Sequence, residues 1–197
     1  QSNLALTIIR MVKDAFALGA IVTYSQARGD ASGKYYVRNV LNNGTFDGDL
    51  GNWTQVIDAN HTATTALSTG TGRLNTDAQS GPDALEVDVT ASTGAGVSGR
   101  YQDYAAAPSE VWSASAYKYL VSQSNGGGAR LRIEFLDSGL SVLATHDTDD
   151  TAIDTDFEIM SNINRTAPAS TVWIRISCLG FSAASGDLAK VRFDDVM

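Results

Sequence analysis

Arg130-Leu131-Arg132-Ile133-Glu134-Phe135-Leu136-Asp137-Ser138-Gly139-Leu140-Ser141-Val142 decides the fold. Leu131, Ile133 and Phe135 alternate with Arg130, Arg132 and Glu134, so an extended chain turns one face apolar and the other charged. A helix would scatter the same residues around its circumference. Asp137-Ser138-Gly139 carries turn chemistry, and Leu140 and Val142 open a second strand beyond it. The alternation recurs on both sides. Leu85, Val87 and Val89 alternate with Glu86, Asp88 and Thr90, while Val172, Ile174, Ile176 and Cys178 alternate with Trp173, Arg175 and Ser177. Strands with one apolar and one polar face belong to antiparallel sheets packed on a shared core, which predicts an all-β sandwich from about Tyr35 onward.

With 18 glycines and only 3 prolines, the turns rely on Gly, Asn and Asp. Ala91 to Gly99 and Asn60 to Gly72, rich in Ala, Ser, Thr and Gly, read as loops or thin edge strands. Asp147, Asp149, Asp150, Asp154 and Asp156 fall in one polar stretch that reads as a solvated loop.

Upstream of Tyr35 the pattern differs. Leu4, Ile8, Val12 and Phe16 recur four apart, with Arg10, Lys13 and Asp14 between them, so Leu4 to about Tyr24 reads as a short amphipathic helix that needs a docking surface. Gln26 to Lys34 has linker composition, giving an arm over 1–34 and a sandwich over 35–197. Ala15 to Tyr24 is too short to span a bilayer, which takes about 20 apolar residues. It has the apolar stretch of a secretory signal with Ser25-Gln26-Ala27 as a small-residue cleavage site, but Asp14 stands where that signal is basic.

The charge balance, 14 Lys+Arg against 22 Asp+Glu for a net of -8, repels nucleic acid over most of the surface, and no Lys/Arg cluster offsets it. Cys178 is the single cysteine, so no intrachain disulfide can form. His61 and His146, both in loop-like stretches, have no zinc-ligand spacing. There is no Gly-x-Ser-x-Gly elbow, and Gly126-Gly127-Gly128 lacks the Lys-Ser/Thr of a phosphate loop. The Asp-rich stretch lacks the apolar pocket that would make a glycosidase acid, so the reading is non-catalytic. Arg28-Gly29-Asp30 matches an integrin-read tripeptide short enough to recur by chance.

Asn39-Val40-Leu41-Asn42-Asn43-Gly44-Thr45-Phe46-Asp47, followed by Trp53, resembles the opening of the jelly-roll carbohydrate-binding modules found beside xylanases and cellulases. Trp112 to Tyr117 is similar to that family's aromatic-led strand, Phe135-Leu136-Asp137-Ser138-Gly139 to its hairpin, and Phe193-Asp194-Asp195-Val196 to its closing strand. The resemblance implies a jelly roll over Asn39 to the C-terminus, a buried Trp53, and a structural calcium between the first and last strands. The calcium candidates are Asp47, where the family has Glu, with Asp194 or Asp195; the alternative is a turn aspartate and a solvated terminal pair.

For a ligand, Arg130, Arg132, Glu134, Trp173 and Arg175 share the polar parity of their strands, and Tyr117 and Tyr119 share one parity of theirs. Aromatic rings beside planar hydrogen-bonding groups suit a polysaccharide or cell-surface glycan, the ring covering C–H groups and the polar groups reading hydroxyls. Trp112 and Trp173 as core or edge residues, with the Tyr and Arg on a protein–protein surface, is the competing reading. Tyr101, Gln102 and Tyr104 could line a cleft edge or plug the packing. The helical arm, whose Thr7 to Phe16 is faintly similar to the first helix of phage head-to-tail adaptors, adds a second function: a virion structural or decoration protein contacting other copies or a larger assembly. Either role implies an extracellular or virion-associated location.

Overall fold

The computed structural model describes residues 27–29, 35–37, 40–69 and 83–197. The helix expected over Leu4 to Tyr24, and the adaptor-like stretch within it, lie outside the described residues. β1 (Ala27–Gly29) and β2 (Tyr35–Val37) pair antiparallel with each other, so a short ladder stands where the sequence reads as linker. The remaining strands are β3 (Thr54–Val56), β4 (His61–Ser68), β5 (Ala84–Ser92), β6 (Gly96–Ala105), β7 (Val111–Ser124), β8 (Gly128–Leu136), β9 (Val142–Asp150), β10 (Glu158–Thr166), β11 (Trp173–Ser182) and β12 (Leu188–Asp194). They form two five-stranded antiparallel sheets, sheet I in the order β10-β7-β12-β5-β4 and sheet II in the order β3-β6-β11-β8-β9.

Alternation fills the space between the sheets. Leu85, Val87, Leu120, Val191 and Phe193 point inward from sheet I, and Leu131, Ile133, Phe135, Ile174, Ile176 and Cys178 from sheet II, all at most 1% exposed. Each such side chain contributes about 1.5–3 kcal/mol on leaving water. Burial holds the Cys178 thiol far above its ordinary value, so it acts as a small apolar residue. Trp53 is buried as expected, packed against Phe46 at 5.0 Å and donating its indole N–H to the Asn43 carbonyl. Trp112 is also a core residue.

The opening and closing motifs meet. The Val196 N–H donates to the Gly44 carbonyl, and a methyl group on Gly44 would overlap the Val196 carbonyl, so the glycine permits the two motifs to touch. Gln102 and Tyr104 point inward: Gln102 exchanges hydrogen bonds with the Asn42 backbone and Tyr104 contacts both, which fastens the 40–46 segment to β6. They are clamps for the chain's first described loop.

Three sequence expectations are corrected. The stretch Ala91 to Gly99 contains the start of β6, which lies inside sheet II. The aspartate-rich stretch is not a solvated loop: Asp147, Asp149 and Asp150 belong to edge strand β9, and Asp154 is buried. Asp is a poor strand former in isolation, but here two arginines of β8 lie opposite and neutralise the acids facing them. Neither histidine is in a loop. His146 lies in β9 with its ring edge-on to Phe135, and His61 opens β4, 8% exposed.

The His61 hydrogen bonds close as one chain. The Asp58 N–H donates to Ser98 Oγ (3.1 Å), Ser98 O–H to His61 Nδ1 (2.9 Å), His61 Nε2–H to Ser182 Oγ (2.7 Å) and Ser182 O–H to the Gly94 carbonyl (2.7 Å). This accounting fixes the neutral Nε2–H tautomer and joins the β3–β4 turn to β6 and β11. Burial lowers the His61 pKa, against the pull of Asp58. The unfolded chain therefore takes up the proton first, near 6.5, and stability falls as pH drops from that value toward the depressed folded one. Denaturant melts at pH 7.5 and 5.5 are expected to show this loss, and His61→Gln to remove that step. Ser182→Ala, which orphans the Nε2 proton, is expected to cost about 1–3 kcal/mol at neutral pH.

Candidate functional site

Sheet II carries its outward side chains in rows set by register. One row runs Ala105, Trp173, Leu136, Val142 across β6, β11, β8 and β9; the next Asp103, Arg175, Glu134, Thr145; then Tyr101, Ser177, Arg132, Asp147; then Gly99, Leu179, Arg130, Asp149. Five of the residues singled out in the sequence, Arg130, Arg132, Glu134, Trp173 and Arg175, thus stand on adjacent central strands of one face. Tyr117 and Tyr119 do not join them. They lie on the outer face of sheet I, where Tyr119 packs on Phe157 (5.6 Å) and Arg192 stands 5.9 Å from its ring centre.

The charged rows are pre-assembled. Arg175 is bidentate to Asp103 (2.8 and 2.9 Å), Arg132 to Asp147 (2.7 and 2.9 Å) and Arg130 to Asp149 (2.6 and 2.7 Å). Such forks fix the guanidinium planes as well as pairing charge. Arg175 also lies 3.8 Å from the centre of the Tyr101 ring and Arg130 4.7 Å from that of Phe181. Ser177 and Leu179 are buried although they point outward, because long side chains close over the central strand.

Glu134 differs from its neighbours. It lies between Arg132 and Arg175 in the lattice, but its nearest ion pair, with Arg132 Nη1, is 3.7 Å long, beyond hydrogen-bond reach. Burial raises its carboxyl above the usual range; Arg132 and Arg175 pull it down, and Asp147 and Asp103 push it up. Asp147 and Asp103 hydrogen-bond to Arg132 and Arg175 and raise both guanidiniums against burial. Three guanidiniums face four carboxylates on this surface, close to neutrality, and the Trp173 row supplies an apolar edge beside them. Fixed donors and acceptors next to an aromatic edge can bind a neutral ligand rich in hydroxyls and C–H faces.

Asp103 was not singled out in the sequence, and Asp147 and Asp149 were read there as part of a solvated loop rather than as members of this face. Asp103 carried a local signal, since it shares the parity of Tyr101; the other two were hidden by their acidic surroundings.

For calcium, Asp194 is fully buried at the end of β12 and accepts the Asp195 N–H (2.7 Å), with Asp195 at a positive φ of 47°. Asp47 is exposed and accepts the Thr45 hydroxyl (2.9 Å). Buried Asp83 reaches the same loop by accepting the Gly48 N–H (3.2 Å). These hard oxygens come from the opening loop, the approach to β5 and the end of β12, and suit calcium in kind. Among the described residues, the three acids whose oxygens converge within 4.8 Å are Asp150, Asp154 and Glu158, so an ion at Asp47 and Asp194 or Asp195 would also need backbone carbonyls.

No family model and no curated protein matches the chain. Solved structures do. The enzymatically active domain of bacteriophage CBA120 tailspike protein 4 aligns with TM-score 0.58 at 16% identity, over 81% of this chain and 21% of that one. A structure described as carbohydrate-binding modules from the β-sandwich superfamily aligns with TM-score 0.55 at 16% identity, over 76% and 58%. An arabinose-bound α-L-arabinofuranosidase aligns with TM-score 0.50 at 14% identity, over 89% and 25%. The chain therefore spans less than two thirds of each of these chains. At such identities the likeness concerns architecture: the chain has the β-sandwich fold that carbohydrate-binding modules share.

Proposed function

We propose that the chain is a non-catalytic carbohydrate-binding module whose ligand surface is the outer face of sheet II. The observation that carries this reading is the array of bidentate Arg–Asp pairs around Glu134 with Trp173 at its edge. A glycan would lay a C–H face on Trp173 and donate hydroxyls to Glu134. The same sandwich in carbohydrate-binding modules, and the absence of a second open carboxylate beside Glu134 among the described residues of this row, support binding over cleavage. Screening on a glycan array and then by calorimetry, Trp173→Ala and Glu134→Gln are each expected to weaken the selected glycan at least about tenfold, or about 1.4 kcal/mol. Tyr117→Ala, on the opposite sheet, is expected to leave affinity unchanged. Equal losses from Tyr117→Ala and none from Trp173→Ala would move the site to sheet I.

The alignment with a phage tailspike domain supports a second reading, in which the module is displayed on a virion and held there through residues 1–34. Size-exclusion chromatography of the full chain is then expected to give an oligomer that becomes a monomer when 1–34 is deleted. A monomeric full chain would count against assembly through that arm. The location is extracellular or virion-associated in either case. Among the described residues no helix is long and apolar enough to cross a membrane.

A structural calcium at Asp47 with Asp194 or Asp195 is part of the proposal, supported by the meeting of the opening and closing motifs at Gly44 and Val196. Chelator is expected to lower the melting temperature and added calcium to restore it. An unchanged melt overturns the ion.

A further inference from the structure

β7 breaks its own pattern at Lys118. Trp112, Ala114, Ala116 and Leu120 share its inward parity and all are buried, and Lys118 is buried with them at 1% exposure. Its Nζ stands 2.6 Å from Asp154 Oδ1, 2.8 Å from Asp150 Oδ2 and 3.9 Å from Glu158 Oε2. Asp154 belongs to the segment that carries the chain from β9 in sheet II to β10 in sheet I. It is tied to β7 twice more: the Leu120 N–H donates to Asp154 Oδ2 (2.7 Å), and the Asp154 N–H donates to the Leu120 carbonyl (3.1 Å).

This grouping holds the parts of an acyl-transfer site. A nitrogen hydrogen-bonded to one carboxylate oxygen lies about 3–3.5 Å from the carboxyl carbon, a near-attack distance that becomes productive once the carboxyl turns its face to the nitrogen. The Leu120 N–H is aimed at the oxygen that would carry negative charge in a tetrahedral intermediate. Asp150 accepts a second Nζ hydrogen, and Lys118 and Asp154 are almost wholly shielded from the water that would reverse the reaction. Asp154 is the acceptor rather than Asp150: the Asp154 side chain is 2% exposed, that of Asp150 32%.

We propose that Lys118 and Asp154 condense into an intramolecular isopeptide bond. One Nζ proton passes to Asp154 Oδ1, giving a neutral amine and acid. Nζ attacks Cγ, and the charge on Oδ2 is held by the Leu120 N–H. A second Nζ proton passes through Asp150 to Oδ1, the Cγ–Oδ1 bond breaks, and Oδ1 leaves as water. Lys118 keeps one hydrogen as an amide, and no oxidant or reductant is involved. Burial pulls the Lys118 pKa down while its hydrogen bonds to Asp150 and Asp154 raise it by more, so the ammonium is the resting form of Lys118 and condensation proceeds through internal proton transfer. The product would staple β7 to the inter-sheet crossover in a chain that cannot form an intrachain disulfide.

Intact-mass measurement of the purified full chain tests this. The expected mass is one water below that of the sequence, with a branched proteolytic peptide joining Lys118 to Asp154. Lys118→Met and Asp154→Ala are expected at full mass, and Asp150→Ala is expected to accumulate the unlinked form. A wild-type mass equal to the sequence, with Lys118 recovered in an unbranched peptide after prolonged warming below the melting temperature, overturns the proposal.

Discussion

Side-chain alternation along β11 is the constraint on which the rest of the molecule depends. The strand is central in sheet II, and its Ile174, Ile176 and Cys178 enter the core while Trp173, Arg175 and Ser177 face outward. Core and candidate site are therefore two faces of one segment. A slip of one residue against β8 or β6 would exchange them, putting the Arg175 guanidinium among apolar groups. The cost of such a charge without a partner fixes the register, and with it the geometry of the outer face.

The outer face depends in turn on pairing across strands. The three arginines on the outer face of sheet II would repel one another and sample many rotamers if they stood alone. Asp103 on β6 and Asp147 and Asp149 on β9 lock them from either side. The lattice is rigid before any ligand arrives, which reduces the ordering cost of binding. It also explains how an edge strand rich in aspartate persists: Asp147 and Asp149 of β9 face β8's arginines, and its exposed charge discourages pairing with other sheets.

The same charge logic is followed inside the molecule. Lys118 occupies a core position of β7 only because Asp150 and Asp154 meet it there. The crossover from β9 to β10 is held by this contact and by paired backbone hydrogen bonds to Leu120. At the other end, His61 joins the β3–β4 turn to β6 and β11 through serine hydroxyls. Both devices fasten connections between layers, which strand ladders alone do not do.

Much of this was legible in the sequence. The apolar periods of β5, β8 and β11 and the turn after Phe135 follow from local patterns, since alternation with period two is a property of the extended chain itself, while the burial of Trp53 came from the resemblance of the opening motif. The common parity of Arg130, Arg132 and Glu134, and of Trp173 and Arg175, was legible; that β8 and β11 lie side by side and join them on one face was not. Nor was the separation of Tyr117 and Tyr119 onto sheet I, because parity cannot say which sheet a strand joins. The acidic stretch misled for a related reason: the arginines that neutralise Asp147 and Asp149 lie 15 and 19 residues away, and burial of Asp154 depends on a lysine 36 residues away. The sequence by itself determined that the chain alternates and so builds two-faced strands. Only the tertiary structure decided which strands lie side by side, and hence which charges are paired, because pairing is set by distant partners that no local window contains.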